Sequence, residues 1–181
     1  MKKLINILFI LFLTISVHAQ NIYVSKNAAI SFFSRTVVED IEGKSNTATS
    51  VLDLKSHNLI FKVANTSFQF KKKLMQEHFN ENYIESDKYQ FSTFKGKITD
   101  DVDLSKDGSY NVTIDGTLDL HGVIKPYQSK ANIVVSKGTI TAKTAFKVKI
   151  EDHQIKVPTI VFKNIAEFVE VRVSATYQPK K

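Results

Sequence analysis

Cysteine is absent from all 181 residues, so the chain has no disulfide, no thiol nucleophile and no site for the lipid anchor of a bacterial lipoprotein. Tryptophan is absent too, and arginine occurs only at Arg35 and Arg172. Without arginine density, or basic residues interleaved with aromatic ones, nothing points to nucleic acid as a partner. No G-x-S-x-G elbow, phosphate-binding glycine loop or H-E-x-x-H run occurs, so no catalytic residue is assigned and no enzyme is expected. Low-complexity tracts, repeats and linkers are also missing. Long apolar runs are confined to Leu4–Val17, which is too short to span a bilayer.

That run is preceded by Lys2-Lys3 and followed by Val17-His18-Ala19, a small-x-small pattern. The combination predicts a secretory signal peptide over residues 1–19, cleaved after Ala19. The product is then a periplasmic or secreted protein with no stable membrane anchor. Cleavage removes two lysines and no acid, so the net charge falls from +7 to +5. An excess of this size suits either anionic partners such as phosphate head groups or plain solubility. Residues 20–181 have the length of one domain, able to bury roughly 70% of its unfolded surface.

What the mature chain has in abundance is two-residue alternation. Tyr110, Val112, Ile114, Gly116, Leu118 and Leu120 alternate with Asn111, Thr113, Asp115, Thr117, Asp119 and His121, which predicts a long strand with one buried and one wet face. Ile140–Ile150 and Val169–Tyr177 repeat the pattern, the former with Lys143, Lys147 and Lys149 outward. Ala131, Ile133 and Val135 continue it after Pro126. Earlier, Ile22–Val24 and Ala29–Phe33 read as an interrupted first strand. Ser45-Asn46 punctuates the ambiguous Val37–Lys44, then Thr49–Leu54 and Leu59–Val63 form a hairpin about Ser56-His57-Asn58. About eight long antiparallel strands predict an all-β fold, a single closed barrel without exposed edges. Such a barrel has room for packed side chains or for one small ligand.

One stretch breaks the alternation. In Lys71–Asn82, Leu74, Met75 and Phe79, with Tyr83 beyond, fall on one face of a short helix, opposite Lys72, Lys73, Gln76, Glu77, Asn80 and Glu81. A lone helix on a β-barrel must rest its apolar face somewhere, and the natural place is across one open end. Aromatic residues crowd here, with Phe61, Phe68, Phe70, Phe79, Tyr83, Tyr89, Phe91 and Phe94 among the 13 phenylalanines and 6 tyrosines. Such residues line apolar ligand sites and also fill ordinary β cores.

The segment Glu77–Ile98, EHFNENYIESDKYQFSTFKGKI, resembles the most characteristic part of the YceI-like family, polyisoprenoid- or lipid-binding proteins of the bacterial envelope. Gly116–Pro126, GTLDLHGVIKP, is similar to that family's G-x-L-x-hydrophobic-x-G-V-x-K-P strand and turn. Gln90 departs from the proline the family usually has after the tyrosine, and Asn21–Asp53 matches loosely. The resemblance implies a lipocalin-like barrel holding a long isoprenoid or other lipid, with Phe61, Phe70, Met75, Phe79, Tyr83 and Phe94 as ligand-binding residues. With the helix across the barrel mouth, the charge run Lys71, Lys72 and Lys73 at its start offers contacts for an anionic head group, beside the alternative of a solvated surface. A structural or adhesion-type module with a packed interior is the other reading of the whole chain.

No cofactor or metal is expected. His57, His78, His121 and His153 are separated by 21, 43 and 32 positions, so no two share an element at ligand spacing. His121 falls on the wet face of its strand, and His57 and His153 in turns. Asp100, Asp101, Asp103 and Asp107 lack the spacing of a calcium loop and read as a solvated hairpin. The sequence leaves the oligomeric state open.

Overall fold

A computed structural model describes residues 21–35, 40–156 and 165–180. Its strands, in chain order, are β1 (Ile22–Arg35), β2 (Asp40–Asp53), β3 (Asn58–Ala64), β4 (Gln69–Phe70), β5 (Phe91–Ile98), β6 (Gly108–Leu120), β7 (Val123–Ser136), β8 (Thr139–Lys149) and β9 (Phe168–Pro179). All pairings are antiparallel, in the order β1-β9-β8-β7-β6-β5-β3-β2, and β1 pairs back onto β2. Eight strands therefore close into a barrel, and β4 adds a two-residue rung on β2. The signal segment lies outside the described residues, as do most of Val37–Asp40 and the Val157-Pro158 loop; no helix among the described residues is long and apolar enough to cross a membrane.

Alternation sorts each strand into the barrel. Val112, Ile114 and Leu118 of β6 are buried, whereas Asn111, Asp115 and Thr117 are exposed. Gly96 and Gly116 sit opposite one another on the inner wall, and the Phe94 ring lies across both. A side chain at Gly116 would run into that ring and into the Lys95 carbonyl, so glycine here makes room for an inward aromatic.

Two long hairpins close on two-residue loops. Leu120 pairs with Val123 around His121-Gly122, and Ser136 with Thr139 around Lys137-Gly138. Both residues of each loop have positive φ, 54° and 72° in the first, 49° and 74° in the second. These are the primed turns whose twist matches paired strands.

Several boundaries differ from the sequence reading. β1 is continuous, and its apparent interruption is a pair of register shifts around Ala28, where it bulges against β2. Ser45-Asn46 does not punctuate: β2 runs through it, because Ser45 faces inward and bonds Ser67 Oγ at 2.7 Å. Pro126 lies inside β7 rather than in a turn. That is permitted because β8 pairs with β7 only from Ala131 to Ser136, so the strand is one-sided at Pro126.

The interior is uneven along the barrel axis. At the end away from the helix, Leu104, Val112 and Ile140 are all at most 2% exposed, with Leu104 folded in from the β5–β6 connection. Tyr177 is buried there too, its hydroxyl 2.8 Å from Ser50 Oγ, and burial raises its pKa above the ordinary value. The packed core occupies this end, and Leu52, Ile98, Ile133 and Tyr177 stand at its boundary, lining the cavity above. The other end is hollow.

Candidate functional site

The hollow end is roofed by the interruption in the alternation. Asn65–Ser67 make one 3-10 turn, β4 follows, and α1 (Lys73–His78) runs on into a π-helical turn, Phe79–Tyr83. The helix therefore falls in the expected stretch and reaches Tyr83 through a wider final turn. That turn bonds Ile84 N–H to the Phe79 carbonyl at 2.9 Å, five residues back. Its wider step keeps Met75, Phe79, Tyr83 and Ile84 all on the cavity side. Leu74 also reaches the cavity rim but is 59% exposed, so it does not share the helix's covered face as expected.

Aromatic rings fix the roof to the wall. Phe79 lies 5.4 Å from Phe32, 5.5 Å from Phe68 and 5.1 Å from Phe70, measured between ring centroids. Phe32 also meets Phe68 at 5.3 Å and Phe70 at 5.7 Å. Four rings from β1, the 3-10 turn, β4 and the helix thus form one cluster, each pair contributing beyond its buried area. The helix has no side-chain cap, so this packing holds it. The return to the barrel is pinned by fully buried Asn65. Its amide donates to the Tyr89 carbonyl at 2.6 Å, its oxygen accepts from Ser92 Oγ at 2.7 Å, and its backbone N–H bonds the Gln90 carbonyl. Gln90 contributes only its carbonyl to this lock, which proline would supply equally.

Below the roof lies a cavity of about 430 Å³. All six side chains expected to meet a ligand, Phe61, Phe70, Met75, Phe79, Tyr83 and Phe94, face it. Sequence reasoning missed most of the opposite wall: Phe146, Val148, Val169, Val171 and Val173 from β8 and β9, with Phe32 from β1. Their alternation was visible, but only closure of the barrel shows that these strands line the same space as the helix. The few polar groups at the wall include Asn65, Ser92, Ser129 and Thr144. Lys72 reaches the rim, whereas Lys71 and Lys73 do not line the cavity, and Lys73 pairs with Glu77 at 3.4 Å on the surface.

Two buried histidines lie beside the helix exit. His121 is only 9% exposed and does not lie on a wet face, because the chain has left the strand and entered the primed turn. Its Nε2 is 2.6 Å from Glu85 Oε2 and its Nδ1 3.1 Å from the His153 carbonyl, with Tyr89 packed on the ring. His153 ends a 3-10 turn, Ile150–His153, and is 0% exposed rather than in an open loop. Its Nδ1 faces two acceptors, the carbonyls of Val123 at 3.0 Å and Leu120 at 3.2 Å, so this nitrogen carries the proton. Nε2 then accepts from the Tyr127 hydroxyl at 3.0 Å. Burial lowers the His153 pKa below its ordinary value, in keeping with this neutral ring. The pair ties the helix exit, the β6–β7 turn and the end of β8 together. Among the described residues, no three His, Asp or Glu side chains are grouped to hold a metal ion.

The sequence profile of the YceI-like domain matches residues 22–177, nearly the whole described barrel. The chain belongs to the YceI-like family. Comparison with curated proteins gives no match. Among solved structures, a polyisoprenoid binding domain from Saccharophagus degradans implicated in plant cell wall breakdown is 15% identical, with a TM-score of 0.74 over 89% of this chain and 99% of that one. BcnA of Burkholderia cenocepacia is also 15% identical, with a TM-score of 0.68 over 82% and 95%. The Campylobacter jejuni YCEI protein is 20% identical, with a TM-score of 0.63 over 77% and 85%. At these identities the likeness is one of fold, and this YceI-like chain shares the barrel with all three.

Proposed function

We propose that this YceI-like protein is an exported, non-enzymatic carrier that sequesters a long apolar molecule, an isoprenoid or another lipid, inside its barrel. Residues 1–19 direct it out of the cytoplasm, and the mature chain works unanchored in the periplasm or beyond. The polyisoprenoid-binding domain of the same fold supports this ligand class.

The observation that carries the reading is the apolar cavity of about 430 Å³ in a barrel that is otherwise well packed. Ligand sites span roughly 300–1,000 Å³ and are lined mainly by apolar side chains with few polar ones. Left empty, apolar volume costs about 24 cal/mol per Å³, which for this cavity reaches on the order of 10 kcal/mol. That upper bound, since the hollow opens at its rim, rivals the whole stability of a typical domain. A chain that keeps such a hollow is better explained by a guest than by a packed structural module. Each buried methylene of the guest would contribute roughly 0.8 kcal/mol, so few polar contacts are needed.

Phe79→Asp tests this directly. The charge enters the wall shared by the aromatic cluster and the cavity, where burial without a partner costs several kcal/mol. The variant is expected to keep the circular dichroism of a folded barrel while losing copurified lipid. Loss of the barrel signal together with the lipid would instead mark Phe79 as ordinary core.

A further inference from the structure

The barrel wall is incomplete on one side. β7 pairs with β6 along its whole length, but with β8 only from Ala131↔Thr144 to Ser136↔Thr139. Towards the helix end, Val123–Lys130 and Ala145–Lys149 share no backbone ladder, and Thr144 Oγ1 donating to the Lys130 carbonyl at 2.8 Å marks the last link. Above it the seam is spanned by side chains, chiefly Tyr127 against Phe146 at 5.9 Å and against His153. Ser129, Phe146 and Val148 beside this seam also line the cavity. The cavity wall is therefore thinnest here.

The outer surface around the seam carries two features. At its foot is a shallow groove lined by Lys44, Lys130, Lys143 and Arg172, with no carboxylate in its lining. Its floor is small because strand register sets Ala29, Ser174 and Lys143 in one row and Lys44, Ser31, Arg172 and Ala145 in the next. Glu42 neutralises Lys44 and Glu170 bonds Arg172, but among the described residues Lys130 and Lys143 have no ion-pair partner. Glu151 and Glu167 are engaged by Lys149, and on the far side of β7 Asp115 accepts from Gln128. At the head of the seam, two large apolar side chains point outward: Ile124 on β7, 64% exposed, and Phe168 opposite Lys149, 50% exposed.

We propose that this face, with Lys130 and Lys143 at the foot of the seam and Ile124 and Phe168 at its head, docks on the surface of a bilayer containing anionic phospholipids. Unpaired lysines beside exposed apolar side chains match the two attractions of a charged membrane interface, phosphate for the ammonium groups and the acyl boundary for the apolar ones. Docking in this orientation turns the thin wall of the cavity towards the lipid. The proposal rests on the carrier reading, since a lipid carrier needs a membrane as donor or acceptor.

The test is cosedimentation with vesicles of phosphatidylcholine alone and of phosphatidylcholine with about one-third phosphatidylglycerol, at low and physiological salt. The expected result is binding to the anionic vesicles only, falling steeply with salt. Lys130→Gln with Lys143→Gln should weaken it about thirtyfold, and the two Glu substitutions more. Ile124→Ser with Phe168→Ser should weaken it several-fold at either salt. Lys62→Glu with Lys95→Glu, on β3 and β5, should stay within about twofold of the parent. Absence of vesicle binding, equal binding to neutral vesicles, or an equal loss in the β3–β5 control would each overturn the proposal. Copurified lipid is measured on the same preparations; docking that fails while lipid is still recovered removes this proposal and leaves the carrier reading.

Discussion

Single residues decide how the mouth of the barrel is built, and they are where the sequence was least legible. His121 continues an unbroken polar register, Thr117, Asp119, His121, and on that pattern belongs outside. Its burial follows from Gly122: a His-Gly pair with positive φ ends the strand one residue earlier and rotates the imidazole under Tyr89. His153 gave no local signal, since its carbonyl partners lie 30 and 33 positions away. It does give a pH prediction. Burial holds the folded ring's pKa below its ordinary value, against the Val123 and Leu120 carbonyls and Asp152, which favour protonation, and with Lys125, which opposes it. The unfolded ring protonates near its usual value of about 6.5, so the unfolded state binds the extra proton. The stability contributed by this residue is therefore complete above that pH and drains away as pH falls below it. His153→Asn keeps a donor towards the Leu120 and Val123 carbonyls but cannot titrate. Between pH 7.5 and 5.5 the melting temperature of the parent should fall further than that of the variant. Parallel slopes for the two proteins would show that His153 does not titrate on unfolding.

At the scale of elements, the strands were readable because an exposed face and a buried face alternate with a period that little else produces. Closure was inferred from the need to hide edges, and β1 pairing with both β2 and β9 is the physical answer. The helix was readable as well, being the one place where apolar residues change period. Its π-helical turn and the one-sided stretch of β7 were not, because both depend on what packs opposite. The helix is the least secured element. It is six residues long, uncapped, and held by the Phe79 cluster over a hollow. Such elements open at lower free energy than the strands beneath them. Amide hydrogen exchange in Lys73–Tyr83 should run at least about tenfold faster than in the buried part of β6, and should slow when a long-chain isoprenoid alcohol is added. Exchange unaffected by such a ligand would separate the roof from binding.

For the molecule as a whole, the division along the barrel axis matters most: a packed end around Leu104, Val112 and Ile140, and a hollow that runs from the helix down to Leu52 and Tyr177. Composition could not separate these, because the same phenylalanines, valines and isoleucines serve as core at one end and as cavity wall at the other. The six residues singled out from sequence came from the helix and its neighbours, and they face the hollow; the β8–β9 half of the lining emerged only from closure. The central claim is that this hollow holds an apolar chain. Protein purified without detergent, extracted with organic solvent and analysed by mass spectrometry measures it most directly. The account predicts a long-chain isoprenoid or similar lipid at close to one molecule per barrel, removable by extraction and rebound on addition. A natively purified, folded barrel that yields no lipid and takes up none would contradict it.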